Sequence, residues 1–259
     1  MYSSGRLVPE SQRQSFPGLL IVDPDRLPTA QPEPERLTGR WLYGGHWMVH
    51  FGHFLLESLS ALWPEPDPTL SGLVFHIWPA DYHAIEPLQW QSWLVTQAGW
   101  DLPIRIVGHE PVVADQLIVP TRAFHLNIGA LPELVTLWDR IAPLRTPETT
   151  VFLSRSRLTA DPRRLVGDER LDEELSSLGC EIVHPQELSM DQQVETVARA
   201  STLVGTGGSH LHLSMFARTC TKVIEIGDLR MPDRPVHDQV NIATARGHHH
   251  DFVPLIRDG

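Results

Sequence analysis

A histidine and an acid four residues apart are the first candidates for chemistry in this chain. His53 follows a glycine and precedes an apolar run, and Glu57 comes one helical turn later. If the run is helical, both side chains lie on one face, where the carboxylate can orient the imidazole. Histidine titrates near neutral pH and can take a proton from an attacking hydroxyl. The spacing predicts that His53 is a general base and that Glu57 assists it.

Two more histidines, His46 and His50, precede this pair. In one continuous helix all four side chains, from His46 to Glu57, would lie on one face, as a metal site would require. Three glycines in and beside the stretch disfavour such a helix. We therefore expect no metal here. A metal-dependent hydrolase built on this cluster stays an alternative, and so do ordinary half-buried histidines at His46 and His50.

A glycine-bearing loop follows a predicted strand in the second half of the chain. Its glycines let the backbone approach a ligand closely, and the N–H groups that start the next helix attract phosphate. It is not a dinucleotide fingerprint, because the third glycine is replaced by histidine, and it is not a Walker A loop. A tight turn without a ligand is the other interpretation. The residues expected to bind are Gly205, Gly207, Gly208, Ser209 and His210.

Charged residues flank this loop in the sequence. Arg155 ends a predicted strand, so its guanidinium would point towards the loop, and Arg164 is a further candidate. Guanidinium groups suit bidentate recognition of diphosphate oxygens, although a solvated basic turn is the alternative. Glu225 lies inside an apolar strand, where an unpaired carboxylate is costly. It either accepts the ribose hydroxyls of a nucleotide or forms a structural ion pair.

The elements that position these residues alternate between strands and helices. In the second half we predict strands at residues 151–154, 181–183, 202–204 and 222–226. Helices are predicted at residues 168–178, 190–198 and 211–217, the second starting at a capping box formed by Ser189 and Gln192. This alternation indicates parallel pairing and a Rossmann-like sheet. Ligands bind such sheets beyond the carboxyl ends of the strands.

The first half alternates in the same way. Strands are predicted at residues 19–22, 73–77, 104–107 and 116–119, and helices at residues 51–62, 84–98 and 131–140. Residues 141–150 contain two prolines and indicate a boundary. We therefore predict two α/β domains, residues 1–145 and 146–259, which face a cleft.

Composition excludes several classes of protein. The formal net charge of −11 over 259 residues argues against a nucleic-acid partner. The two cysteines, Cys180 and Cys220, are not spaced as metal ligands and fit a reducing compartment. The sequence shows no signal peptide and no apolar run near the roughly 20 residues that cross a bilayer. We expect a cytoplasmic protein, with peripheral attachment to the inner membrane left open.

Short motifs follow one another in a fixed order through residues 152–227. They are Phe152-Leu153-Ser154-Arg155, Arg164 with Asp168-Glu169, Pro185-Gln186-Glu187-Leu188-Ser189, Gln193, Val204-Gly205, Gly208, Phe216 and Val223-Ile224-Glu225. In this order they resemble glycosyltransferase family 61, which includes bacterial capsular-polysaccharide transferases and eukaryotic xylosyl- and N-acetylglucosaminyltransferases. Residues 52–57 are similar to the family's N-terminal Gly-His motif. Gly207-Gly208 stands where the family has His-Gly, and Leu213 stands where it has asparagine.

The resemblance implies a GT-B-type fold of two Rossmann-like domains. It also implies an inverting transfer of a sugar from a nucleotide-sugar donor, most simply a UDP-sugar, to a glycan or another hydroxyl acceptor, as in surface-polysaccharide synthesis. Residues 1–145 would then serve the acceptor and residues 146–259 the donor. No cofactor is expected, with a divalent metal as the alternative. A non-catalytic sugar- or nucleotide-binding module descended from such enzymes is a rival.

Overall fold

The computed structural model describes residues 2–3, 6–11, 33–77, 86–108, 110–158 and 167–255. The chain divides into two units, Met1–Leu137 (unit 1) and Trp138–Gly259 (unit 2). The strand predicted at residues 19–22 lies outside the described residues. In the part of the chain that is described, no helix is long and apolar enough to cross a bilayer.

Unit 1 contains a parallel sheet of four strands in the order β3-β2-β1-β4. The strands are β1 (Glu35–Trp47), β2 (Gly72–Ile77), β3 (Ile104–Val107) and β4 (Val112–Ile118). The predictions of β2, β3 and β4 are confirmed. Residues 124–125 and 129–130 form a short antiparallel pair, as do residues 2–3 and 6–7.

The sequence did not predict β1, the longest strand among the described residues. Its pairing register shifts between Leu37 and Arg40 and again between Tyr43 and His46. Gly39 and Gly45 lie at these irregularities with φ of 84° and 78°, a conformation that strongly favours glycine. Such bulges interrupt the alternation of apolar and polar residues that identifies a strand. Two of the three glycines that disfavoured a continuous helix, Gly44 and Gly45, therefore belong to this bulged strand, and the third, Gly52, lies in the helix that follows.

The helices of unit 1 pack their aromatic residues against this sheet. α1 (Phe51–His53) continues without a break as a π-helix, Phe54–Ser58, and a 3₁₀ segment, Leu59–Leu62. α2 (Gln89–Gln97) follows β2, and α3 (Glu133–Ile141) spans the boundary between the sequences of unit 1 and unit 2. The Trp47 ring makes edge-to-face contacts with Phe54 and Phe75, at centroid distances of 5.1 and 4.9 Å. These buried contacts fix the start of the helical segment on the sheet.

Unit 2 contains a parallel sheet of five strands in the order β6-β5-β7-β8-β9. The strands are β5 (Thr149–Leu153), β6 (Glu181–Val183), β7 (Ala200–Thr206), β8 (Lys222–Ile226) and β9 (His249–Val253). The four predicted strands and their parallel pairing are confirmed. The chain is thus an α/β protein with two parallel, Rossmann-like sheets.

The helices of unit 2 are α4 (Asp168–Ser177), α5 (Met190–Ala198), α6 (His237–Arg246), and 3₁₀ segments at Pro185–Glu187 and Leu211–Phe216. α4, α5 and the segment at residues 211–216 match predicted helices, whereas α6 was not predicted. The Ser189–Gln192 capping box is present at the start of α5. Leu213, at the position where the resembling family has asparagine, is fully buried. It is therefore a core residue of this unit.

The fifth strand, β9, was not predicted from the sequence. His249, Asp251 and Val253 are exposed, whereas His250 and Phe252 are half-buried. This alternation is typical of an edge strand with one face towards its own unit. In the register of the sheet, His250 pairs with Val223 of β8.

Candidate functional site

In unit 1, the predicted pair of His53 and Glu57 forms a hydrogen bond. His53 Nδ1 lies 2.8 Å from Glu57 Oε2. The imidazole is 41% exposed and the carboxylate side chain only 3% exposed. A buried carboxylate that accepts Nδ1–H leaves Nε2 as the proton acceptor of a neutral imidazole. The geometry therefore presents a partly exposed base held by a buried acid.

The unusual helix geometry carries Glu57 into the interior. The N–H of Leu59 bonds to the carbonyl of Phe54, five residues back, which defines the π-helical turn that contains Glu57. The Ser58 hydroxyl accepts the N–H of Met48 at 3.0 Å and donates to the carbonyl of His46 at 2.7 Å. The end of β1 is thereby tied to the π-helix. Such single π turns are frequent at functional sites.

The hypothesis of one continuous helix from His46 to Glu57 is wrong. His46 lies on β1, and His50 has an extended backbone with ψ of 125° immediately before α1. The His50 and His53 rings still meet, with centroids 5.2 Å apart. Among the residues that the structure describes, no group of three or more His, Cys, Asp and Glu side chains could hold a metal ion. The geometric basis of the metal-hydrolase alternative is therefore absent from this stretch.

A second histidine group in unit 1 is electrically neutral near pH 7. The Tyr43 hydroxyl lies 3.1 Å from His76 Nδ1. Burial raises the pKa of Tyr43 to about 12 and lowers the pKa of His76 to about 4. Desolvation disfavours the charged form of each group. The side chains of Tyr43 and His76 are therefore uncharged near pH 7 and form a hydrogen bond in the interior. They are more deeply buried than the side chain of His53.

In unit 2, Arg155 reaches the glycine loop as the sequence predicted. It follows β5, its residue is only 6% exposed, and its Nη1 lies 3.4 Å from the carbonyl oxygen of Gly207. β5 and β7 are neighbours, and the chain runs from β5 outward to β6 before it returns to β7 on the other side. Their carboxyl ends therefore form the switch point at which open α/β sheets bind ligands. Arg164, the other predicted arginine, lies outside the described residues.

The glycine loop is bonded to the neighbouring strand β8. The N–H of Gly207 donates to the carbonyl of Ile226 at 2.8 Å, which ties the loop to the end of β8. A Cβ on Gly207 would lie 3.1 Å from Glu225 Oε1, and one on Gly205 would lie 3.4 Å from His210 Nε2. His210 thus packs over the strand end, and Ser209 beside it is half-buried. A side chain on Gly207 would crowd the buried acid.

The sequence left two roles open for Glu225, a ribose contact and a structural pair. In the structure its carboxylate has partners within unit 2. Its residue is 1% exposed. Oε1 accepts the N–H of Val236 at 2.9 Å, and Oε2 lies 3.1 Å from His250 Nε2. Both carboxylate oxygens are therefore bound within unit 2, directly behind Gly207. The sequence did not indicate His250 as a partner, because residues 249–253 show no alternation of polar and apolar residues that would mark a strand.

A second buried acid shapes the next loop. Asp228 is 1% exposed and follows β8. Its Oδ1 accepts the N–H groups of Arg230 and Met231, both at 2.8 Å. The turn after β8 is thereby fixed beside the glycine loop. The sequence signal was an aspartate directly after an apolar strand and a glycine, which is a common loop former.

Comparison with known families found one match that covers these residues. A family model described as Glycosyltransferase 61 matches residues 51–224, well over half of the chain. The match begins at the first residue of α1 and includes His53, Glu57, Arg155 and the glycine loop. It ends one residue before Glu225. No curated protein matches the chain.

Proposed function

The chain belongs to the glycosyltransferase 61 family, and from this premise we propose that it is an inverting enzyme. It transfers a sugar from a nucleotide-sugar donor, with a UDP-sugar as the expected donor, to a hydroxyl group of a glycan. In this proposal the two parallel sheets are the two domains of a GT-B fold. Unit 2 holds the donor, and unit 1 supplies the base for the acceptor.

The observation that carries the donor assignment is the contact between Arg155 and Gly207 at the switch point of unit 2. The guanidinium is a planar donor suited to two phosphate oxygens at once. A glycine beside it lets the diphosphate approach the backbone N–H groups closely. Both features lie beyond the carboxyl ends of β5 and β7, where parallel sheets bind nucleotides. Arg155 and the loop from Gly205 to His210 would therefore hold the diphosphate and stabilise its charge as it leaves.

The proposed chemistry is a single displacement. The acceptor oxygen forms a bond to the anomeric carbon while the bond from that carbon to the phosphate oxygen breaks. The nucleoside diphosphate leaves with the electron pair, and the acceptor proton moves to His53 Nε2. Glu57 keeps Nδ1 protonated and so fixes the tautomer that can accept this proton. Attack opposite the leaving group inverts the configuration of the anomeric carbon.

A transfer assay tests the proposal directly. The purified protein is incubated with a panel of nucleotide sugars and glycan acceptors, and release of nucleoside diphosphate is followed together with the product. The anomeric configuration of the product is then read by NMR. We expect acceptor-dependent release and inversion. Retained configuration would overturn the mechanism, and binding of nucleotides without any transfer would favour the non-catalytic module.

A further inference from the structure

The Glu225 carboxylate is held from two directions by the segment that follows β8. The backbone N–H of Val236 reaches Oε1 at 2.9 Å, and the imidazole Nε2 of His250 lies 3.1 Å from Oε2. Val236 precedes α6 and His250 lies on β9. Both lie beyond residue 224, where the match to the family model ends. The carboxylate thus depends on a part of the chain that the family model does not cover.

This carboxylate lies directly behind the loop that contacts Arg155. Glu225 pairs in register with Gly205 across β7 and β8, and a Cβ on Gly207 would lie 3.1 Å from Oε1. Gly207 in turn places its carbonyl 3.4 Å from Arg155 Nη1 and donates its N–H to Ile226. A displacement of the carboxylate would therefore also displace the backbone at Gly207. Because the Gly207 carbonyl contacts Arg155, the position of the guanidinium would change as well.

The side chain of His250 is largely buried where it contacts Glu225. Its side chain is 12% exposed and that of Glu225 is 1% exposed. With Nε2 protonated, the imidazole donates to the carboxylate in the neutral state of the ring. Loss of the donor would leave a buried carboxylate oxygen without this partner, which is costly and drives the group to seek other donors. The carboxylate would then be free to shift, and the glycine loop is its neighbour on one side, since a Cβ on Gly207 would lie 3.1 Å from Oε1.

We propose that His250 is a positioning residue of the donor site, which acts through Glu225 to keep the Gly207 loop open to the diphosphate. The proposal rests on the proposed function, because it assumes that this loop binds a nucleoside diphosphate. It assigns His250 no contact with the ligand. Its effect is therefore confined to the diphosphate part of the donor, and the nucleoside part is bound equally well with or without it.

The test compares variants that differ in the N–H donor. His250→Phe keeps an aromatic ring but has no donor, whereas His250→Gln keeps an amide N–H. His249→Ala, at the exposed neighbouring position of β9, is the matched control. Binding of UDP, GDP, CDP and ADP to the parent protein is measured by calorimetry. The diphosphate that binds best is then compared with its own nucleoside in each variant, and thermal unfolding is recorded in parallel.

We expect His250→Phe to weaken diphosphate binding about tenfold, the loss of one hydrogen bond to a charged group, with nucleoside binding unchanged. His250→Gln and His249→Ala should bind like the parent. Equal losses for diphosphate and nucleoside, or no loss in a folded His250→Phe protein, would overturn the inference. If His250→Phe does not fold, a folded His250→Gln protein with a tenfold loss also overturns it. A parent that binds none of the four diphosphates overturns the donor-site proposal itself.

Discussion

His53 Nδ1 and Glu57 Oε2 are 2.8 Å apart, with the carboxylate buried and the imidazole open to solvent on one side. The buried acid fixes the ring of His53, whose side chain is partly exposed. A π-helical turn brings the acid inward, and the Ser58 hydroxyl ties that turn to the end of β1. This arrangement is what a general base requires: a defined tautomer on a rigid support.

Removal of the base should abolish most of the turnover. We expect His53→Ala to lower kcat by about 10²–10⁴-fold, the usual range for loss of a general base. Donor affinity should be unchanged, because the proposed diphosphate ligands belong to unit 2. Steady-state kinetics with a saturating donor measure the effect, and His50→Ala, whose ring lies beside His53, is the control. Full turnover in His53→Ala, with a loss in His50→Ala, would transfer the role to His50.

Glu57 should act only through His53. Glu57→Gln keeps an oxygen that can accept Nδ1–H but removes the charge, so we expect a smaller loss of kcat than in His53→Ala. Residues that work as one unit are not additive. The double variant His53→Ala/Glu57→Gln should therefore be no slower than His53→Ala alone. A further multiplicative loss in the double variant would show that Glu57 has an independent role.

Two buried histidines should make stability depend on pH. Burial lowers the pKa of both His76 and His248 to about 4, from an ordinary value of 6.5. Between these values the unfolded chain binds protons that the folded chain does not. The stability that these histidines contribute is therefore fully present above pH 6.5. As the pH is lowered towards 4, the free energy of unfolding falls by up to about 1.4 kcal/mol per pH unit for each histidine.

Urea unfolding at about pH 7 and about pH 5 measures this dependence. His248 Nε2 lies 3.0 Å from the Ser214 carbonyl, and glutamine can replace that donor without titrating. His248→Gln should therefore remove about half of the pH dependence. His249→Gln, at an exposed position, should leave it unchanged. An identical pH dependence in the parent and in His248→Gln would rule out this histidine as a source.

The sequence predicted most of unit 2 and less of unit 1, for physical reasons. The four predicted strands of unit 2 are short apolar runs between clear turn signals. β1 was not predicted because Gly39 and Gly45 form bulges that interrupt its pattern of apolar and polar residues. β9 was not predicted because this edge strand, which begins with two histidines, has little apolar content. The π-helix at residues 54–58 also has no separate signature, since its apolar spacing matches that of an α-helix.

The candidate site was predictable where its partners are close in sequence or follow from topology. His53 and Glu57 are one helical turn apart, and parallel pairing of β5 and β7 brings Arg155 to the glycine loop. The partner of Glu225 was not predictable, because His250 comes from a strand that the pattern did not reveal. Whether that acid was ion-paired within its unit or free for a ribose depended on this missing strand.

The central claim, that unit 2 binds a nucleoside diphosphate through Arg155, is tested most directly by two arginine variants. Arg155 contacts Gly207, whereas Arg157 is largely exposed and paired with Glu187 at 2.7 Å. Binding of a nucleoside diphosphate and of its nucleoside is measured by calorimetry in the parent, Arg155→Ala and Arg157→Ala. We expect Arg155→Ala to lose about 1.5–3 kcal/mol for the diphosphate and little for the nucleoside, and Arg157→Ala to bind like the parent. Equal losses for both ligands in Arg155→Ala, or unchanged binding of the diphosphate, would contradict the account.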